Sequence, residues 1–166
     1  MSQIEDLFQR LLSSRSDMNG HLMTISGLAR GQHVTEIGFR TGVSATAWLR
    51  GGCSTLDSID IQECCPPPEF SSTDRFRFHL GDSRYIGPWS TDILMIDGDH
   101  SFDGAMSDLT RWSPHTSSLI VMHDTESWKC PGVALARDEF LASHDDWSLH
   151  AHHKHSHGLS ILRRIK

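Results

Sequence analysis

Apolar and polar residues alternate along this chain in two rhythms. Near the start the apolar spacing is helical, and it predicts helices over 4–12 and about 18–29. From residue 33 onwards, short apolar runs typical of strands are each followed by a turn. The predicted strands are 33–39, 55–61, 75–80, 92–96, 118–122, 147–153 and 159–165, and the helices between them are 41–50, 102–112 and 133–141.

Strands that alternate with helices indicate a parallel sheet with helices on both faces. The predicted fold class is therefore α/β, with a doubly wound, mostly parallel sheet of seven strands. The last two strands are expected to form an antiparallel hairpin, at one edge of the sheet or inside it. The links 62–74 and 83–91 are too short for a long helix, so one flank of the sheet should be thinly covered. One domain is expected over 1–166, with N-terminal helices in 1–31 and the core in 32–166.

The composition narrows the setting and the partners. A net charge of −6 argues against a nucleic-acid backbone or an anionic membrane surface as the main partner. No apolar run approaches the roughly 20 residues of a membrane span, and the N-terminus lacks the pattern of a signal peptide. The four cysteines contain no C-x-x-C pair, which favours a reduced setting. A cytoplasmic protein is expected.

Polar side chains cluster where the predicted strands end. They are Glu36, Asp60, Asp82, Asp97, His123 and Asp124. In open α/β sheets, ligands bind in the crevice beyond the carboxyl ends of the strands. The sequence therefore predicts a binding cleft at this edge.

The segment after the first strand has the features of a cofactor loop. Gly38 and Gly42 allow a tight turn and a close backbone approach to a ligand. The helix that follows offers free N–H groups to a carboxylate, with Ser44 in its first turn. Glu36 supplies a negative charge suited to a cationic ligand head. Arg40 stands where a dinucleotide fingerprint has its middle glycine, so a dinucleotide is the weaker interpretation, and a turn without a ligand remains an alternative.

Two further acids fit a nucleoside. Asp60 closes the second strand, where an acid in many sheets of this kind binds both ribose hydroxyls. Asp82 closes the third strand, in position to reach an adenine amino group. Either acid alone is also compatible with a helix cap or a turn.

Two blocks resemble a known family, the class I S-adenosylmethionine-dependent methyltransferases. They are EIGFRTGVSATAWL (36–49) and MIDGDHSFDGAMSDLTRWSPHTSSLIVMHDT (95–125), within a similarity that spans 32–125. The resemblance is to the small-molecule O-methyltransferase branch that includes macrocin O-methyltransferase and the cephalosporin hydroxylase-like proteins. It implies a Rossmann-like fold and S-adenosylmethionine as cofactor. The implied cofactor residues are Glu36, Gly38, Arg40, Gly42, Ser44, Asp60, Ile61, Asp82, Ser83, Asp97 and Gly98.

Methyl transfer to a hydroxyl needs a base or a Lewis acid beside the nucleophile. Asp97 and Asp124 end neighbouring strands, and two carboxylates in one cleft repel each other unless a cation or proton separates them. The resemblance implies that these acids bind a divalent metal, Mg²⁺ or Mn²⁺, and that His100 is the base beside Asp97. His123, next to Asp124, departs from the family pattern. It either points into the helical layer or supplies a nitrogen ligand that favours Mn²⁺, Fe²⁺ or Zn²⁺.

Three features have less specific interpretations. Asp99 is predicted to be a turn residue at a helix start rather than a ligand. The segment 127–130 is expected to line the substrate mouth, with simple packing as the alternative for Trp128. The histidines between His150 and His157 are predicted to lie in a solvated hairpin turn, with transition-metal binding as the alternative.

The predicted function is a metal-assisted O-methyltransferase acting on a hydroxyl of a small molecule. One alternative is a methyltransferase-like module that is non-catalytic or needs a partner, such as a second copy in a homodimer, to complete its pocket. Another is a methyltransferase that acts on nitrogen or on protein without a metal.

Overall fold

The computed structural model describes residues 2–166 and contains a seven-stranded sheet. Met1, which the predicted domain includes, lies outside the described residues. The strands are β1 (His33–Ile37), β2 (Thr55–Asp60), β3 (Phe76–Leu80), β4 (Thr91–Ile96), β5 (Thr116–His123), β6 (Trp147–His153) and β7 (Leu159–Arg164). Their order is β3-β2-β1-β4-β5-β7-β6, and β7 runs antiparallel between β5 and β6 while the other pairs are parallel. The predicted fold class is confirmed, with one hairpin strand inserted inside the sheet.

Helices cover both faces of this sheet. They are α1 (Gln3–Leu12), α2 (Leu22–Leu28), α3 (Val43–Gly51), α4 (Phe102–Trp112) and α5 (Pro131–Ser143). Side chains of a strand alternate between the two faces. On β4, Ile93 and Met95 accordingly join the core beneath α1–α3, whereas Leu94 and Ile96 join the core beneath α4 and α5. Within residues 2–166, no helix combines the length and apolarity that crossing a membrane requires.

The second predicted helix is shorter than expected. Instead of one helix over 18–29, a 3-10 turn (Asn19–His21) precedes α2. Asn19 and Gly20 are weak helix formers. Gly20 also lies against the loop between β6 and β7, where an added Cβ would overlap the Ser156 hydroxyl. This close packing fixes the turn beside the strand ends.

The flank at β3 is thinly covered, as predicted. The β2–β3 link contains only a 3-10 helix (Pro68–Ser72) among its described residues, and no helix is described between β3 and β4. Trp89 packs on this part of the sheet, and its indole N–H donates to Thr35 Oγ1 at 2.9 Å. The strand ends beside this flank therefore stay open to a ligand.

Candidate active site

A cavity of about 500 Å³ opens at the carboxyl ends of β1 to β4. Its lining includes eight predicted cofactor residues: Gly38, Arg40, Asp60, Ile61, Asp82, Ser83, Asp97 and Gly98. A second cavity of about 390 Å³ shares Gly38, Arg40 and Asp97 with the first. Ser44 and the segment 14–18, which follows α1, complete the second cavity. The two cavities thus form one elongated cleft across the β1–α3 loop.

The β1–α3 loop depends on its glycines. Gly38 has a φ of 95° and Gly42 a φ of 76°. A Cβ on Gly38 would overlap the carbonyl oxygen of Asp97, so only glycine lets the two strand ends approach this closely. None of the described side chains caps the start of α3. The N–H groups of its first turn are therefore available to a ligand carboxylate.

Replacing Gly38 by alanine is expected to lower the free energy of unfolding by more than the cost of its left-handed backbone conformation. Gly31 provides the matched control, because it has a φ of 73° with open space around it. Gly31→Ala should cost about 1–2 kcal/mol for the left-handed conformation. Gly38→Ala should cost clearly more, since the added methyl meets main chain that cannot rotate away. Urea unfolding of both variants measures this, and equal losses would contradict the steric argument.

Asp60 both lines the first cavity and holds the loop. Its Oδ2 accepts the N–H groups of Phe39 at 3.0 Å and Arg40 at 2.8 Å, and its Oδ1 accepts the N–H of Gln62 at 2.9 Å. The sequence predicted a ribose contact here but not this clamp on the glycine loop.

At the β3 end, two acids lie in different environments. The Arg84 guanidinium holds the pKa of the Asp82 carboxyl below its usual range. Asp108, on α4, lines the same cavity, and burial raises its pKa to about 6. The Ser83 hydroxyl donates to Asp108 at 2.6 Å. Sequence reasoning missed Asp108, although an acid on the inner face of an amphipathic helix is a signal that could have found it.

Glu36 lies beneath the cleft rather than in its lining. Its side chain is fully buried, and burial raises its pKa to about 7, although the neighbouring Ser44 and Ser58 hydroxyls lower it. Ser58 donates to Oε2 at 2.7 Å. Within residues 2–166, Oε1 has no hydrogen-bond partner. An unpartnered buried carboxylate oxygen is costly and calls for an explanation such as a ligand.

Asp97 and Asp124 meet two imidazoles at the ends of β4 and β5. The Nδ1 atom of His123 lies 3.3 Å from Asp97 Oδ1 and 3.2 Å from Asp124 Oδ2. The Nε2 atom of His100 lies 3.4 Å and 3.3 Å from the same two oxygens. Asp124 has a φ of 59°, in the left-handed region, and its side chain contacts that of its neighbour His123. His123 therefore faces the carboxylates, which decides between the two orientations considered from the sequence.

The backbone fixes the roles of the two ring nitrogens of His123. Its Nε2 lies 3.2 Å from the carbonyl oxygen of Ser156. A carbonyl only accepts, so Nε2 carries the hydrogen and Nδ1 is left to bind a proton or a metal ion. Burial lowers the pKa of His123, but hydrogen bonds and charges from Asp124 and Asp97 outweigh it and raise the pKa to about 10. Either a proton or a metal ion at Nδ1 would place positive charge between the carboxylates of Asp97 and Asp124.

The segment after β5 adds a thiol to this group. Cys130 Sγ lies 3.4 Å from Nδ1 of His100. Trp128 is 84% exposed, so simple packing is the wrong interpretation of it. Asp99 accepts the Ser101 N–H at 2.9 Å, as a turn residue does. The pairing of Cys130 with His100 was not predicted.

The histidine-rich segment is closer to the site than predicted. β6 extends to His153, and the loop that follows packs against the strand ends. His157 Nδ1 lies 3.2 Å from Asp124 Oδ1. The fully buried His21 contacts the Ser156 carbonyl at 3.1 Å and stacks on His155 with ring centroids 4.6 Å apart. His157 is exposed in the turn, as predicted, and the loop also brings it against Asp124, a contact that was not predicted.

No family model and no curated protein matches this sequence. Solved structures do match it in shape. A Podospora anserina methyltransferase with bound S-adenosylhomocysteine superposes with a TM-score of 0.65 at 14% identity, covering 100% of this chain and 89% of that one. An O-methyltransferase from Bacillus cereus, also in complex with S-adenosylhomocysteine, gives 0.66 at 15% identity, covering 98% and 90%. A candidate RNA methyltransferase from Pyrococcus horikoshii gives 0.67 at 12% identity, covering 100% of both chains.

The chain has the Rossmann-like fold of S-adenosylmethionine-dependent methyltransferases. At these identities the likeness shows the methyltransferase fold alone. The reaction must be argued from the site itself.

Proposed function

We propose that this protein is an S-adenosylmethionine-dependent methyltransferase. The observation that carries the proposal is the cleft, whose two cavities meet at Gly38 and Asp97 and match a nucleoside joined to an amino acid. Adenosine would lie in the larger cavity, with Asp60 at its ribose and Asp82 near its adenine. The methionine part would lie in the smaller cavity, at the uncapped start of α3.

The residues present fit this cofactor. The orphaned Oε1 of Glu36 supplies buried negative charge near a bound ammonium group. Gly38 lets the β1–α3 loop lie against the carbonyl of Asp97, so that both residues line the two cavities. When bound, S-adenosylmethionine supplies an electrophilic methyl group on a sulfonium.

We further propose that the methyl acceptor is a hydroxyl of a small molecule and that a divalent metal assists. Asp97, His123 and Asp124 would hold the metal, since one donor atom from each lies within 4.8 Å of the others. Bound there, Mg²⁺ or Mn²⁺ would lower the pKa of the hydroxyl. His100 would accept the hydroxyl proton at Nε2, the nitrogen that faces the two carboxylates. Asp97 and Asp124 orient that imidazole and favour its protonated form.

Calorimetry with S-adenosylhomocysteine tests the cofactor assignment. We expect saturable binding at one site per chain, and no binding by the folded protein would overturn the proposal. Transfer of a labelled methyl group to a panel of phenols, alcohols and amines then tests the reaction.

The same panel separates the competing functions. We expect transfer to hydroxyls that stops with a chelator and returns with Mg²⁺ or Mn²⁺. Methyl transfer to nitrogen that continues in the presence of the chelator would overturn the metal-assisted mechanism. Cofactor binding without transfer to any acceptor would favour a module that needs a partner.

A further inference from the structure

Two sets of metal-ligand atoms overlap at Asp124. The inner set is Asp97, His123 and Asp124, and the outer set is His100, Asp124 and Cys130. Within each set, one ligand atom from each residue lies within 4.8 Å of the others. The inner set offers oxygen and nitrogen, whereas the outer set adds sulfur.

The turn after β5 holds Cys130 in this position. The Ser127 N–H donates to the carbonyl of Asp124 at 3.1 Å, and the Cys130 N–H donates to the carbonyl of Ser127 at 3.0 Å. Pro131 then begins α5 with its fixed backbone. These bonds tie the main chain of Cys130 to that of Asp124, the residue that supplies the shared carboxylate. The local fold therefore holds the thiol beside that carboxylate.

The outer donors select a different class of ion from Mg²⁺. Thiolate and imidazole suit Zn²⁺ and related borderline or soft ions, whereas Mg²⁺ prefers oxygen ligands and retained waters. Zinc binds sulfur at about 2.3 Å and nitrogen at about 2.0–2.1 Å. The 3.4 Å between Cys130 Sγ and His100 Nδ1 is compatible with both atoms binding one such ion.

We propose that His100, Asp124 and Cys130 form a binding site for a thiophilic divalent metal ion, such as Zn²⁺, and that this ion inhibits methyl transfer. Binding replaces the thiol proton, which is released to solvent, with a sulfur–metal bond. The imidazole of His100 then has its lone pair on the metal and no longer accepts the hydroxyl proton. The inhibition rests on the proposed function, but the binding of the ion does not.

Cobalt(II) reports on this site without any methyl transfer. Metal-free protein is titrated with Co²⁺ while the thiolate-to-cobalt charge-transfer band in the near ultraviolet is recorded. We expect the wild type to show this band in the presence of excess Mg²⁺. Cys130→Ser should lose the band, and Cys65→Ser, which removes an exposed thiol outside both sets, should keep it. Circular dichroism confirms that each variant is folded.

Three results would overturn the proposal: no charge-transfer band in the wild type, a band that persists in Cys130→Ser, or one that Mg²⁺ abolishes. Where methyl transfer is measurable, Cys130→Ser should need at least about tenfold more Zn²⁺ for half-inhibition, which corresponds to about 1.4 kcal/mol. Unchanged inhibition in Cys130→Ser would show that zinc inhibits methyl transfer at another site. If the protein binds no S-adenosylhomocysteine but gives the band, the metal site stands and the proposed function fails.

Discussion

Replacing Asp124 by asparagine is expected to lower the rate of methyl transfer by about 10²–10³-fold, the effect of removing one group that stabilises charge in an active site. An asparagine would keep the shape of the side chain, and it tolerates the left-handed backbone found at this position. It would not keep the negative charge that the inner metal set and the His100 imidazole both face. Affinity for S-adenosylhomocysteine should be unchanged, because Asp124 is not among the residues that line the two cavities.

Asp103→Asn is the matched control, since this exposed acid lies on α4 away from the inner set. It should leave both the rate and the affinity unchanged. Rates at saturating cofactor, with Mg²⁺ varied, together with calorimetry, separate the two effects. An Asp124→Asn enzyme that transfers methyl groups at the wild-type rate would remove Asp124 from the mechanism.

The fold was predictable because its determinants are local. Ile93 to Ile96 form a continuous apolar run, as expected of a strand buried on both faces, and the structure divides these residues between two cores. The acids that end β1, β2 and β4 then had to meet at one edge, because parallel strands place their carboxyl ends together. Eight of the eleven predicted cofactor residues line the first cavity for this reason.

The sequence did not reveal the contacts between segments that are distant along the chain. His157 is separated from Asp124 by 33 residues, and only the fold of the β6–β7 loop brings them together. Cys130 reaches His100 across 30 residues through a hydrogen-bonded turn whose path the spacing of polar residues does not encode. The orientation of His123 depends on the carbonyl of Ser156, 33 residues away, which its Nε2 contacts.

Glu36 shows a different limit of sequence reasoning. Its position at a strand end was predicted, but its complete burial and its unpartnered oxygen were not. Both depend on how closely the β1–α3 loop packs over the strand. The burial and the unpartnered oxygen determine how Glu36 affects the stability of the fold, and this effect can be tested.

Replacing Glu36 by glutamine is expected to stabilise the cofactor-free protein and to weaken cofactor binding. Burial raises the folded-state pKa of Glu36 to about 7 from its ordinary value of 4.5. Between these two values the unfolded chain has released the proton while the folded chain retains it. The wild type should therefore lose stability as pH rises from 4.5 to about 7, and the loss should stay constant above that. The variant avoids this loss, which amounts to about 3 kcal/mol at most.

Cofactor binding should change in the opposite direction. A bound ammonium group near the ionised carboxylate would gain a charge-assisted interaction of roughly 1.5–3 kcal/mol, so Glu36→Gln should bind S-adenosylhomocysteine about 10- to 150-fold more weakly at pH 8. At pH 5, where the buried carboxyl is protonated, the two proteins should differ little. Urea unfolding and calorimetry at both pH values measure the two effects, with the exposed Glu139→Gln as the matched control. A variant that is more stable and yet binds the ligand as tightly as the wild type would show that Glu36 is only a strained core residue. Opposite changes, both confined to the higher pH, would link its burial directly to recognition of a cation.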